Sequence, residues 1–167
     1  MMDAILYTSN TGFTERYAKM LAEKTGLPVY ALDKSPVPTG AEIIYLGWVM
    51  ASGVKGYKKA AKKYKVKALC GVCMATTGSQ ITELRKANSV PANMPVFTMQ
   101  GGFDITKLHG MYRFMMNTMV KTAGKGLKNK TDRTPEEDEM LEMMLHGGDY
   151  VSEEHMKAIL DWYREQK

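Results

Sequence analysis

The chain has 167 residues, 44% apolar and 25% charged, the profile of a folded globule long enough to bury a core without cross-links. Two cysteines, Cys70 and Cys73, exclude a disulfide-built scaffold, and no apolar stretch approaches the roughly 18–20 residues of a membrane span. Net charge is +5 and unevenly placed: residues 1–100 carry 13 Lys+Arg against 6 Asp+Glu, residues 101–133 carry 7 against 2, and residues 134–167 carry 3 against 10.

Short apolar runs alternate with helix-period segments along the first hundred residues. Ala4-Ile5-Leu6-Tyr7 reads as a buried strand, followed by a helix over 12–24 with Phe13, Tyr17, Met20 and Leu21 at helical spacing. Residues 29–32 and 42–47 give a second and third strand, and 55–64 a Lys-heavy helix. A fourth strand spans 67–74. A helix over 79–88 is expected, capped by Ser79 and stopped before Pro91, and 95–99 is the fifth strand. Connections this long exclude hairpins and call for a parallel sheet with helices on both faces.

Beyond residue 102 the pattern changes. A helix is expected over 106–122, with Leu108, Met111, Met115 and Met119 on one stripe and Tyr112 and Met116 beside it. Residues 123–133 are polar, basic and Gly-containing and read as a loop. Thr134-Pro135-Glu136-Glu137 opens another helix with a capping box, which Gly147-Gly148 ends. A last helix runs from Ser152 to about Arg164, with Met156, Ile159, Leu160 and Tyr163 inward. Residues 103–148 are thus a helical insertion before the last helix of a single domain, 1–167.

The segment richest in chemistry is the turn after the first strand: Ser9, Asn10, Thr11, Gly12, Phe13 and Thr14. A strand runs out into small and hydroxylated residues and a helix begins at once, which presents free N–H groups and a positive helix terminus. A phosphate monoester fits such a nest. No Gly-x-x-x-x-Gly-Lys-[Ser/Thr] occurs and no Gly-x-Gly-x-x-Gly follows the first strand, so Walker and dinucleotide sites are not expected.

Ile5, Leu6, Tyr7, Ser9, Gly12, Thr14, Ala18 and Leu21 meet every fixed position of the flavodoxin signature, and the chain resembles that family. The resemblance implies an α/β, flavodoxin-like, doubly wound five-stranded parallel sheet of order 2-1-3-4-5. It also implies FMN at the carboxyl ends of the strands, beside the switch point between the first and third. The function implied is electron carriage. Three further loops are then expected on the same rim: Trp48, Val49, Met50, Ala51, Ser52 and Gly53; Thr76, Thr77, Gly78 and Ser79; and Gln100, Gly101 and Gly102. Trp48 is the stacking candidate, against the alternative of an indole that closes the core. The loop 75–79 lacks the Tyr that many flavodoxins stack there, which suggests a more open flavin face.

The C-terminal part, from Gln100-Gly101-Gly102-Phe103 through Tyr112-Arg113-Phe114-Met115 to Tyr150-Val151-Ser152, is similar in layout to the flavodoxin-type, quinone-dependent protoporphyrinogen oxidases, though 128–146 has no counterpart there. That similarity implies an alternative: an FMN-dependent oxidoreductase acting on a porphyrinogen with a quinone. The partner is accordingly a redox protein or a quinone and porphyrinogen pair, and no nucleic acid is expected. The Met-rich segment 107–128, flanked by Lys107, Arg113, Lys121, Lys125 and Lys128, reads either as core or as a peripheral membrane contact.

Cys70-Gly71-Val72-Cys73 has redox C-x-x-C spacing, but its odd offset within a strand sends the side chains to opposite faces, so two buried small residues are expected. His109, His146 and His155 are scattered, and no metal site or catalytic residue is expected. The N-terminus lacks a basic region before an apolar run, so a cytoplasmic protein is expected, with membrane contact at most peripheral.

Overall fold

The computed structural model describes residues 1–108 and 110–166; His109, one of the three histidines above, and Lys167 lie outside the described residues. Strands β1 (Ala4–Thr8), β2 (Val29–Ala31), β3 (Glu42–Met50), β5 (Lys65–Cys73) and β6 (Val96–Gln100) form a parallel sheet in the order β2-β1-β3-β5-β6. The two-residue β4 (Gly53–Val54) pairs antiparallel with the end of β3.

The order therefore departs from 2-1-3-4-5 in its count, because β4 comes before the fourth long strand. β3 runs to Met50, past the Gly47 expected from its apolar run, and doubles back through Ala51 and Ser52, both left-handed with φ 48° and 62°. Such a two-residue turn ordinarily announces itself by Asn-Gly or Gly-Gly. Ala-Ser carries no such signal.

The strands are buried on both faces because alternate side chains enter two separate cores. Ile5, Ile44, Leu46, Cys70 and Met99 pack with Tyr17, Ala18 and Leu21 of α1 (Phe13–Thr25) and with Ile159 and Tyr163 of α6 (Lys157–Glu165). Leu6, Ile43, Tyr45, Leu69 and Val96 pack with Tyr57 and Ala60 of α2 (Tyr57–Lys63) and Leu84 of α3 (Ile81–Ala87). The chain is thus an α/β protein with a mostly parallel sheet and helices on both faces.

Ser79 does not cap α3. Its hydroxyl donates to the Thr76 carbonyl at 2.5 Å, and the helix starts after Gln80, which has φ 57° and makes no side-chain cap. The 3-10 turn Ile105–Lys107 precedes α4 (Gly110–Asn129), which continues through the stretch expected to be a loop. Arg133 explains the extra turns: its guanidinium donates to the carbonyls of Leu127 at 3.0 Å and Lys130 at 2.7 Å, supplying partners that a helix end lacks. Lys125 and Lys128 also suit that negative end. The inward stripe of α4 is Tyr112, Met116 and Val120, packed with Leu108 just before the helix, Phe103 and Met143. Met111, Met115 and Met119, expected on the stripe with Leu108, are exposed instead, at 70%, 41% and 36%.

α5 (Pro135–His146) begins with the expected capping box: Thr134 Oγ1 accepts from the Glu137 N–H at 3.2 Å, and the Glu137 carboxylate accepts from the Thr134 N–H at 3.0 Å. The insertion is closed at its base by two short antiparallel strands, β7 (Gly102–Phe103) and β8 (Gly148–Asp149). A Cβ on Gly102 would collide with the Gly148 carbonyl and the Phe13 ring, so close approach requires glycine there.

Tyr17 ties the C-terminal segment to the sheet. Its hydroxyl donates to the Gln100 carbonyl at 2.5 Å and accepts from the Ser152 N–H at 3.3 Å. That leaves His155 Nδ1, 2.7 Å away, as a second donor to the same oxygen. Burial pushes the Tyr17 and Tyr45 phenols up to about 12. The unfolded chain loses these protons first, so their contribution is complete below pH ~10 and is lost as pH rises towards 12. Thermal unfolding followed by circular dichroism should show Tm falling across that window. Tyr17→Phe should lessen the fall, while costing about 1–3 kcal/mol at neutral pH by leaving buried backbone groups unpaired. A Tm that stays level to pH 12 contradicts this.

Candidate functional site

Parallel strands place the carboxyl ends of β1, β3, β5 and β6 along one edge of the sheet. The chain leaves β1 for β2 on one side, while β3 lies on the other, so a crevice opens at this switch point. The last residue of β1 is fixed from beneath. Tyr45 donates its hydroxyl to the Lys55 carbonyl at 2.8 Å, so the Thr8 hydroxyl, 2.7 Å from Tyr45 Oη, is the donor between them. Gly56 stands against this pair with φ +80°, and a Cβ there would overlap Tyr45 Oη and Thr8 Oγ1.

The turn that follows is held by Ser9, whose Oγ accepts from the Gly12 N–H at 3.2 Å. Gly12 is left-handed, φ 98°, and begins α1 without a side-chain cap. Among the described residues the N–H groups of Phe13, Thr14 and Glu15 have no acceptor, as helix geometry dictates for a first turn without a cap. Open space lies over Gly12. Asn10 Nδ2 is the one buried side-chain nitrogen or oxygen without a partner among the described residues.

These groups border a cleft of about 620 Å³, its solvent-open mouth included. Asn10, Thr11, Phe13 and Thr14 form one end. Trp48, Val49 and Met50, the end of β3, form a wall, and Gly102 joins the floor. The remaining lining was not anticipated: Val72, Cys73 and Met74 end β5, Phe103 and Asp104 open the insertion, and Leu108, Tyr112 and Met116 come from it. Periodicity could have found Tyr112 and Met116, which sit one position around the helix from the stripe first chosen.

Trp48 meets Tyr112 edge to face, with ring centres 5.3 Å apart and planes at 84°. Lys55 Nζ lies 5.5 Å from both ring centres. An aromatic ring therefore reaches the cleft from α4, not from the 75–79 loop. The Asp104 carboxylate, also in the lining, accepts from the Thr106 hydroxyl at 2.5 Å and its N–H at 3.0 Å; Lys107 Nζ lies 3.5 Å from it and 5.9 Å from the Phe13 ring centre. The Thr106 hydrogen bonds hold the Asp104 carboxyl below its ordinary range, so a negative charge faces the cleft.

The other expected residues lie elsewhere. Thr76, Ser79 and Gln100 line a second cleft, shared with Glu136 and Glu139 of α5, and Met74 is the residue common to both clefts. Thr77 Oγ1 accepts from the Gln100 N–H at 2.9 Å, while the Gly78 N–H donates to the Thr98 carbonyl at 3.2 Å, so this loop is tied to β6. Gly101 bonds to β5 through the Cys73 carbonyl at 2.8 Å. Ala51 and Ser52 form the turn into β4, and Gly53 faces a separate hollow beside α2.

Cys70 and Cys73 both lie in β5, three residues apart. Cys70 is fully buried, and burial pushes its thiol up. Cys73 departs from the expectation: it is only partly buried and lines the cleft, with a thiol pushed up by burial to about 11. Among the described residues no group of three or more His, Cys, Asp or Glu could hold a metal ion, and no helix is long and apolar enough to cross a membrane.

The chain matches no protein-family model, no curated protein and no solved structure.

The thiols give a direct probe of this geometry. With an aromatic disulfide reagent at pH ~8, one thiol, Cys73, should react slowly, and its rate should rise about tenfold per pH unit towards 11 as the thiolate forms. Cys73→Ser should abolish the reaction in the folded protein. Two equivalent fast thiols would contradict the placement.

Proposed function

We propose that the chain is a flavodoxin-like FMN-binding protein that carries electrons. In this reading the sheet is the flavodoxin-like one, with 103–148 as an insertion that adds a wall to the flavin cleft. The supporting observation is the buried, unpartnered Asn10 Nδ2 beside the uncapped start of α1. A donor left in that position costs about 1–3 kcal/mol unless something accepts from it, and the adjoining amide N–H groups suit the same acceptor. A phosphate monoester has the charge and the oxygen atoms to serve them all.

Asn10, Thr11, Phe13 and Thr14 would hold the phosphate, with Ser9 fixing the turn through Gly12. Trp48, Val49, Met50, Met74, Gly102, Phe103 and Tyr112 would flank the ring system. Bound FMN supplies the redox chemistry, so the chain need contribute neither an acid nor a base. Its residues bind, orient and exclude water. The lining next to the ring is mostly apolar, and the ionisable groups, Lys55, Asp104 and Lys107, stand at the rim.

Purified protein, supplied with FMN and freed of excess, should be yellow and hold close to one FMN per chain. Asn10→Ala should weaken FMN binding by roughly tenfold to a hundredfold, the worth of one hydrogen bond to a charged group, with the fold intact by circular dichroism. FMN should also protect Cys73 from the thiol reagent. A colourless protein whose Cys73 reacts equally fast with and without FMN overturns the proposal.

A further inference from the structure

α4 has two apolar faces. One is satisfied by the protein: Tyr112, Met116 and Val120 pack with Phe103, Leu108 and Met143. The other, Met111, Phe114, Met115 and Met119, is turned to solvent, with Met111 70% and Phe114 73% exposed. These four, at spacings of three and four, form one continuous strip along the helix. They account for four of the six exposed large hydrophobic residues among those described. A surface helix needs one apolar stripe to dock on its own core, and a second stripe calls for a second apolar neighbour.

Charge identifies that neighbour. From Ile105 to Thr131 the chain has no Asp or Glu, while Lys107, Arg113, Lys121, Lys125 and Lys128 are all exposed along it. Among the described residues only Lys107 of these has an ion pair, with Asp104; Arg113, Lys121, Lys125 and Lys128 have none there. Pairing of this face with the same face of a second copy would bring like unpaired cations together, so that association is disfavoured. An apolar strip with an uncompensated basic border suits an interface where acyl chains lie beneath anionic head groups. We infer that the outward face of α4 docks on an anionic lipid bilayer, lying in the interface and not crossing it. The helix is too polar to cross, and its other face stays engaged with the cleft wall through Tyr112 and Met116.

The inference does not depend on FMN, and its test needs no chromophore. Full-length protein is mixed with phosphatidylcholine vesicles, or with vesicles in which part of the lipid is phosphatidylglycerol, and floated through a density gradient. It should float with the anionic vesicles at low salt and stay behind with the neutral ones. Binding should fall by about tenfold or more towards 1 M salt, where the screening length shrinks to ~3 Å. Phe114→Ser with Met115→Ser, and separately Lys121→Gln with Lys125→Gln, should each reduce binding roughly tenfold. All four side chains are solvent-exposed, so the fold should be retained and circular dichroism checks it. Three results would each overturn the inference: no flotation with anionic vesicles, equal binding to neutral ones, or a dimer in sedimentation equilibrium that Phe114→Ser abolishes.

Discussion

The end of β1 is the point on which the remaining geometry depends. Its backbone is shared between β2 and β3, so it cannot move without disturbing both ladders. Its last side chain, Thr8, is held by the Tyr45 hydroxyl, itself anchored on Lys55. A rigid strand end followed by a four-residue turn and an uncapped helix fixes several N–H donors in space before any ligand arrives. Preorganisation of that kind lets a small anion be recognised without side-chain rearrangement.

The insertion adds a further wall to the cleft beside this turn. Pairing of Phe103 with Gly148 closes the insertion at its base, and the bond from the Tyr17 hydroxyl to the Gln100 carbonyl holds the adjoining strand. From that base α4 sends Tyr112 back across the cleft to meet Trp48. The third small core, around Phe103, Leu108 and Met143, is therefore the wall of the site as well as a packing unit.

Much of the framework was legible in the sequence because burial on both faces of a parallel sheet writes continuous apolar runs. The five long strands, the turn of small and hydroxylated residues after the first of them, and the Thr134 capping box each have a local chemical cause. What was not legible depends on partners distant in sequence. The Ala51-Ser52 turn lacks turn residues, and only the sheet imposes its left-handed backbone. The extension of α4 depends on Arg133, four residues past its end. The stripe on α4 was misassigned because Met occupies both faces, so apolar periodicity alone selects no orientation. The 76–79 loop was placed on the first cleft by fold-level expectation, whereas Met74 stands between it and that cleft.

FMN and riboflavin differ by the phosphate that the turn 9–14 is proposed to grip. The most direct measurement compares FMN with riboflavin, which lacks the phosphate, by quenching of flavin fluorescence on titration with the colourless protein. FMN should bind at least about a hundredfold more tightly, with the difference shrinking as salt or inorganic phosphate is added. Equal affinity for the two flavins, indifferent to phosphate, would contradict it.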